Sequence, residues 1–510
     1  MFGVCLSLTN GISHDEGHEN NNWLINLSAI KNILSNGSDE ILSNYGLNKF
    51  HGVAFHFINK PIQYLIKDIV TEINNASELG GFLLSSHLAV FLIFCISGFF
   101  FYLIILKITK NSNYSFISTI FFLLYPYLFG HSQFNPKDIP FLSFWIINTF
   151  LFLNILENFY NKNKLFYRDL ILLSFLTAFL MSIRILGIVI FIQYIISILI
   201  LIEKKNYKFV YIFKNNFTKI FLFFFSLLIF IYILNPVFWL DPLEIINSIK
   251  WMRKTPYNVC TLTNGFCMYS NNILPSYYFI WLLYKLPLLV IISYLAYPIV
   301  ESKIFKDDLR SIYYGTITIF VPVIIIIFIL IDINIYDELR HIMFIIPLIF
   351  ITSFSNLFYL IKIKYSYFII FIFLIFFSIE NYLLNPYQYT WLNSLSKFKN
   401  IEKNFEVDYW GLSNKRLQKK IINYVNVNNI NKNICILGDM YVKEFLINEN
   451  FKCFRNYSHI DNEDRPFIAY KNVRNVKRRD PVNCKKIEEE SYRYLFLKKK
   501  ISVGTIWYCD

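Results

Sequence analysis

Asp15 and Glu16 stand side by side between His14 and His18 in the stretch SHDEGHE, directly after ten mostly apolar residues. An ionised carboxylate within hydrogen-bond reach of a hydroxyl can take its proton as a general base. Carboxylates flanked by imidazoles also offer donor atoms to a divalent metal, for which His14, His18 and Glu16 are the first candidates. A second concentration is FGHSQFNPKDIPFLSFW, residues 129–145, where His131, Asn135, Lys137 and Asp138 crowd into eight positions. Pro136 and Pro140 must break a helix there, so the backbone turns at the entrance to an apolar run and holds Asp138 at its edge. A third is YDELRHIMFIIPL, residues 336–348, in which Arg340 and His341 open another apolar run. The planar guanidinium donates two hydrogen bonds at once and suits a phosphate.

These residues must be positioned by elements made for a bilayer. Of 510 residues, 55% are hydrophobic, 19% aromatic and only 16% charged, which excludes a soluble globular chain. Apolar runs near 84–107, 115–129, 139–158, 169–183, 185–202, 218–235, 278–299, 312–331, 340–361 and 366–384 predict ten membrane spans. The first ten residues read as the end of an eleventh, with a truncated or misassigned start. The expected class is therefore an all-α polytopic membrane protein of about ten or eleven spans.

Basic loops alternate along the chain, with Lys110, then Lys162, Lys164 and Arg168, then Lys204, Lys205, Lys208 and Lys214, then Lys303, Lys306 and Arg310, then Lys362 and Lys364. The bias of Lys and Arg places these loops on the cytoplasmic side. Residues 11–83, 130–138, 236–277, 332–339 and everything after 385 then share the outer side, and with them all three concentrations of chemistry. Charged residues at span ends are costly and mark functional sites. In the 236–277 loop, LEIINSIKWM predicts a short helix lying on the membrane surface, and Trp251, Tyr277, Tyr278 and Trp281 read as an interfacial aromatic belt.

Most of the +14 net charge lies after residue 395, where the composition turns charged and Asn-rich. The division expected is a membrane domain over 1–394 and an extramembrane domain over 395–510. In the latter, LSNKRLQKKIINYV predicts a helix, and NICILGD, RPFIAY and YLFLKK predict strands, giving a small α/β or α+β fold. The basic run RNVKRRD, 474–480, reads as a solvated face, and nothing here calls for nucleic acid. Six of the eight cysteines fall on the outer side. Cys260 and Cys267 form the easiest pair; Cys435, Cys453, Cys484 and Cys509 admit three pairings.

SHDEGHE after the first apolar segment, GHSQFNPKDIPF at the second outer turn and LRHIMFIIP entering a late span together resemble the polytopic GT-C glycosyltransferases. The likeness is to the family 39-like branch, which includes protein O-mannosyltransferases and lipid A aminoarabinose transferases, and it covers roughly residues 1–385. NPYQYTWLN, 385–393, and DYWGLSNKRLQ, 408–418, look like the same branch. The resemblance implies transfer of a sugar from a polyprenyl-phosphate donor to a hydroxyl of a lipid, glycan or protein acceptor, at the outer face of a bacterial cell membrane. It implies Asp15 as base, Glu16 and Asp138 as further catalytic acids, Arg340 and Lys137 on the donor phosphate, and His131, Asn135 and His341 positioning substrate. A divalent metal is the one cofactor it leaves open. The rivals are a transporter or flippase of lipid-linked sugars and a noncatalytic assembly factor of the same fold. The gathering of acids and bases on one face, with few charges inside spans and the chief of them, Arg184, at the 183–185 break near the outer end, favours the enzyme.

Overall fold

The structure is a computed structural model that describes residues 2–510 apart from 39, 209, 211–213, 254–257, 305–306, 440 and 473–478. Five residues of the basic run 474–480 thus lie outside the described residues. Among the described residues, seven helices are long and apolar enough to cross a membrane: Glu78–Thr109, Asp138–Lys162, Ile185–Lys205, Phe217–Leu234, Asp308–Leu330, Arg340–Leu360 and Ile363–Leu384. The chain is a multi-pass membrane protein with an all-α body.

Proline accounts for two differences from the ten expected spans. The run 115–129 divides at Tyr125–Pro126 into helices Ser112–Leu124 and Pro126–His131, and 278–299 divides at Pro287 into Ser276–Lys285 and Leu288–Leu295. Proline lacks the N–H that continues a helix and disfavours helical geometry in the residue before it, so each run ends there and restarts with Pro at or beside the first turn. The expected span at 169–183 is the helix Tyr167–Ile183, which stops where Arg184 takes an extended conformation, φ −145°.

The basic loops meet at one end of the bundle, where Lys110 pairs with Asp307 at 3.4 Å and Tyr160 donates to Asp308 at 2.9 Å. The acid- and base-bearing segments meet at the other. There the LEIINSIKWM stretch forms a helix, Glu244–Arg253, with Leu243 and Ile246 exposed. The expected aromatic belt does not form. Tyr277, Tyr278 and Trp281 are buried in the main core, because Tyr277 donates to the Glu338 carbonyl at 3.1 Å and the Trp281 indole to Thr263 Oγ1 at 3.0 Å.

The tail carries a five-stranded sheet, β3 (Cys435–Gly438), β4 (Cys453–Asn456), β5 (Phe467–Asn472), β6 (Lys485–Tyr492) and β7 (Ile501–Cys509), in the order β4-β3-β5-β7-β6. β3 runs parallel to β4 and β5, and β7 antiparallel to β5 and β6. The helix Ser413–Val427 lays Leu417, Ile421 and Val425 on Ile436, Ile468 and Ile506. YLFLKK is not a strand; it forms the connection between β6 and β7. The other sheet, a hairpin of β1 (Cys260–Thr263) and β2 (Phe266–Tyr269), is closed by Cys260–Cys267. Of the three tail pairings the structure has Cys435–Cys453 and Cys484–Cys509. Tyr387, Tyr389, Trp391, Tyr409 and Trp410 are buried in the same core as the spans, so the tail is joined to the bundle by a continuous apolar interior.

Candidate active site

Asp15 lies in the first turn of the helix His14–Asn36. Glu19 follows four residues later and so shares its face. Asp138 opens Asp138–Lys162, the Asn135 side chain accepting from the Lys137 and Asp138 amides at 3.1 and 2.9 Å and thus fixing the turn that Pro136 begins. Arg184 sits in the break between Ile183 and the 3-10 turn Ile185–Val189. Asp337 and Glu338 both take left-handed backbone angles, φ 55° and 65°. That conformation is uncommon for side-chain-bearing residues, and two in succession swing neighbouring carboxylates to different partners. Asp337 faces Arg340 at 3.3 Å, while Glu338 reaches Lys285 at 2.7 Å in the fully buried interior.

The result is a cleft of ≈ 400 Å³, lined by Asp15, His18, Glu19, His51, Lys137, Arg184, Trp251, Asp337, Arg340 and His341 among others. The Arg340 guanidinium contacts Asp15 at 2.6 Å, Asp337 at 3.3 Å and Asp138 at 3.4 Å. Its face covers the Trp410 ring at 4.4 Å. Lys137 is held by Glu19 and by the Gly52 carbonyl, both at 3.1 Å. Gly52 is required where it is, because a Cβ there would collide with the Ser182 carbonyl. Arg184 pairs with Asp138.

Exposure separates the acids. The Asp15 side chain is 36% exposed at the cleft and that of Asp138 only 1%. Burial alone would raise both Asp15 and Glu19. For Asp15 the charge and hydrogen bond of Arg340 outweigh it and hold the carboxyl below its ordinary value. For Glu19 the Lys137 charge and the His56 hydrogen bond do the same more strongly. Burial and the Lys137 charge press His51 down to about 3, which leaves its ring neutral. Glu338 is pushed up by burial to about 8 in spite of Lys285.

Three of the expected site residues lie away from the cleft. Glu16 does not face the cleft: its carboxylate accepts from the Ser13 amide at 2.6 Å and meets His87 Nε2 at 2.9 Å, capping its own helix. Adjacent helical residues point about 100° apart, so Asp15 and Glu16 cannot both enter one cleft. His131 and Asn135 do not line the cleft. His131 packs on Tyr127, Phe134, Tyr389 and Trp410, and Asn135 donates to Asp138 at 2.9 Å, so they shape the turn beneath the acid. Lys137 and His341 do line it.

The metal candidates are not brought together. Glu16 is engaged as described, His18 packs edge-on to His51 at 5.1 Å, and His14 lies beneath Gly411. Among the described residues the one trio close enough is Cys435, Cys453 and Glu463, and its cysteines are joined to each other. The candidates among the described residues do not fit a metal.

Sequence reasoning passed over Glu19, Asp337 and Trp410 as members of the site, and took Trp251 for an interfacial ring. The four-residue spacing from Asp15 to Glu19 was the signal available.

No family model and no curated protein matches the chain. Among solved structures it is similar to the crystal structures of ArnT from Cupriavidus metallidurans in the apo state, TM-score 0.42, and bound to undecaprenyl phosphate, TM-score 0.41. Each is 9% identical and aligned over 88% of this chain and 87% of that one.

Proposed function

We propose that this chain is a membrane glycosyltransferase that moves a sugar from a polyprenyl-phosphate donor to a hydroxyl acceptor at the outer face of the membrane. The observation that carries the reading is the partly exposed Asp15 carboxylate, set 2.6 Å from Arg340 in a cleft that also holds Arg184 and Lys137. In this reaction the acceptor hydroxyl gives its proton to Asp15 as its oxygen bonds to the anomeric carbon. The bond from that carbon to the phosphate oxygen breaks, and its electron pair leaves with the polyprenyl phosphate. Direct displacement inverts the anomeric configuration.

The cations divide the work by their occupancy. Arg340 already meets three carboxylates, and Lys137 is held by Glu19 and a carbonyl. Arg184 contacts Asp138 and is 15% exposed, against 7% for each of the others. It is therefore assigned the donor phosphate, with Arg340 stabilising charge on the leaving group. Asp138 serves as the counter-charge that aims both guanidiniums. Ile183, Ile185, Leu186, Phe328 and Ile333 form the apolar wall beside Arg184, suited to the start of a prenyl chain. The basic loops at the opposite end support a cytoplasmic position for that end.

The test is transfer from radiolabelled polyprenyl-phosphate sugars in vesicles holding the full chain. Asp15→Asn is expected to lower the rate by a factor of about 10² or more while leaving the fold intact. Arg184→Gln is expected chiefly to raise the donor KM. Transfer by Asp15→Asn at the wild-type rate would sink the assignment of the base, and retention of configuration in the product would sink direct displacement.

A further inference from the structure

The segment DYWGLSNKR, residues 408–416, lies almost 400 residues from Asp15 in sequence yet contacts both the Asp15 turn and Arg340. The Asp408 carboxylate accepts from the Leu412 and Ser413 amides at 3.0 and 2.9 Å and from the Tyr389 hydroxyl, which bends the chain at Tyr409–Leu412. Gly411 completes that bend with φ 76° and lies against the His14 ring, where a side chain would not fit. At the top of the bend the Trp410 carbonyl accepts from the His14 amide at 3.0 Å. The indole of the same residue lies under Arg340 at 4.4 Å and against Phe134 and His131, which belong to the turn that carries Asp138.

Two further contacts hold the other side of the Asp15 turn. The Tyr441 hydroxyl, just beyond β3 of the tail sheet, accepts from the Gly17 amide at 2.9 Å. Lys415 Nζ donates to the carbonyls of Thr9 and Asn10 at 2.6 and 2.9 Å and to Asn74 Oδ1 at 2.6 Å. The first amides of a helix have no partners within it. Here two of them, on either side of Asp15, find acceptors in the tail. Arg340 gains a stacking face that fixes its plane while its edge is engaged by Asp15.

We propose that the tail is a built-in part of the transfer centre rather than an acceptor-reading accessory, with Trp410 and Tyr441 as positioning residues. They set the register of residues 10–17 and the plane of the Arg340 guanidinium. A general base loses its effect when displaced by about an ångström, so the contribution falls on turnover more than on donor binding. This inference rests on the glycosyltransferase reading for its kinetic arm and stands without it for its structural arm.

The experiment compares wild type, Trp410→Phe, Trp410→Leu and Tyr441→Phe as full-length chains in vesicles. Trp410→Leu and Tyr441→Phe are expected to lower kcat about tenfold with the donor KM within about twofold of wild type, and Trp410→Phe, which keeps a stacking face, to recover most of the loss. Unchanged kcat in both Trp410→Leu and Tyr441→Phe would overturn the proposal, as would a change confined to KM. Should Trp410→Leu fail to fold, Tyr441→Phe decides alone, since it removes one hydroxyl. Hydrogen exchange of residues 10–17 in the same proteins supplies the arm that needs no activity. Faster exchange at the Gly17 amide in Tyr441→Phe supports the clamp, and exchange identical to wild type overturns it. If wild type transfers no sugar, the functional reading fails, and the exchange result still decides the clamp.

Discussion

Arg340 is the residue on which the cleft turns, since its fork engages Asp15, Asp337 and Asp138 together. A lysine has the charge without the fork, so Arg340→Lys is expected to lower kcat/KM by about 10² in the transfer assay. Because Asp15 and Glu19 are both held below their ordinary values of 3.8 and 4.5, each adds stability that is fully present above those values. That stability drains as pH falls below them through the folded values. Transfer is accordingly expected to show no acid limb from Asp15 between pH 8 and pH 5, and thermal unfolding should weaken steeply only below about pH 4. Glu338 behaves oppositely, its carboxyl being raised to about 8. Glu338→Gln, which retains an acceptor for Lys285, is expected to alter stability by about 1 kcal/mol or less, whereas Glu338→Leu strands a buried cation at about 3 kcal/mol. Asp15, Asp138, Lys137 and Arg340 were legible because charges at span ends are conspicuous. Glu16 lies away from the cleft, as the capping-box signature S-H-D-E allows, and Arg184, read as standing at the 183–185 break, was given no role although that break sets it beside Asp138.

Among the elements, the helix His56–Asn74 is inverted relative to a soluble amphipathic helix. His56, Asn59, Lys60, Gln63 and Asn74 are buried, while Leu65, Ile69 and Ile73 are 60–80% exposed. Lys60 meets Asn20 at 2.6 Å, and Gln63 donates to the Phe82 carbonyl at 2.9 Å, so part of the polar face is hydrogen-bonded within the protein. The apolar face is therefore expected to lie against lipid, as it does for an interfacial helix. An environment-sensitive fluorophore on Ile69→Cys is expected to emit to the blue in vesicles relative to the same label on Lys31→Cys, an exposed site of the helix His14–Asn36. Apolar length located most of the spans in the sequence. It did not show where Pro126 and Pro287 would divide two of them, because a proline kink and a proline restart look alike without tertiary contacts. In the tail, β6 reads KKIEEESY and carries no strand signal, since it is an edge strand whose outward residues are charged, and pairing with β7 decides its conformation.

For the molecule as a whole, two of the three disulfides close loops within the tail. Cys435–Cys453 closes a separation of 18 residues and Cys484–Cys509 one of 25, each expected to stabilise the tail by about 3 kcal/mol. Thermal unfolding with and without reductant should therefore separate, the tail losing structure first. The bundle was legible in the sequence as a set of apolar runs. Its union with the tail was not, because the contacts that make it are between residues hundreds of positions apart, which no local pattern encodes. The hydrogen bond from Gly17 to Tyr441 spans 424 residues. During synthesis the opening helix therefore leaves the ribosome long before the groups that hold it in place exist. A chain halted before residue 410 would lack both Trp410 and Tyr441, and under the transferase reading proposed above it is expected to transfer no sugar until the polypeptide is completed.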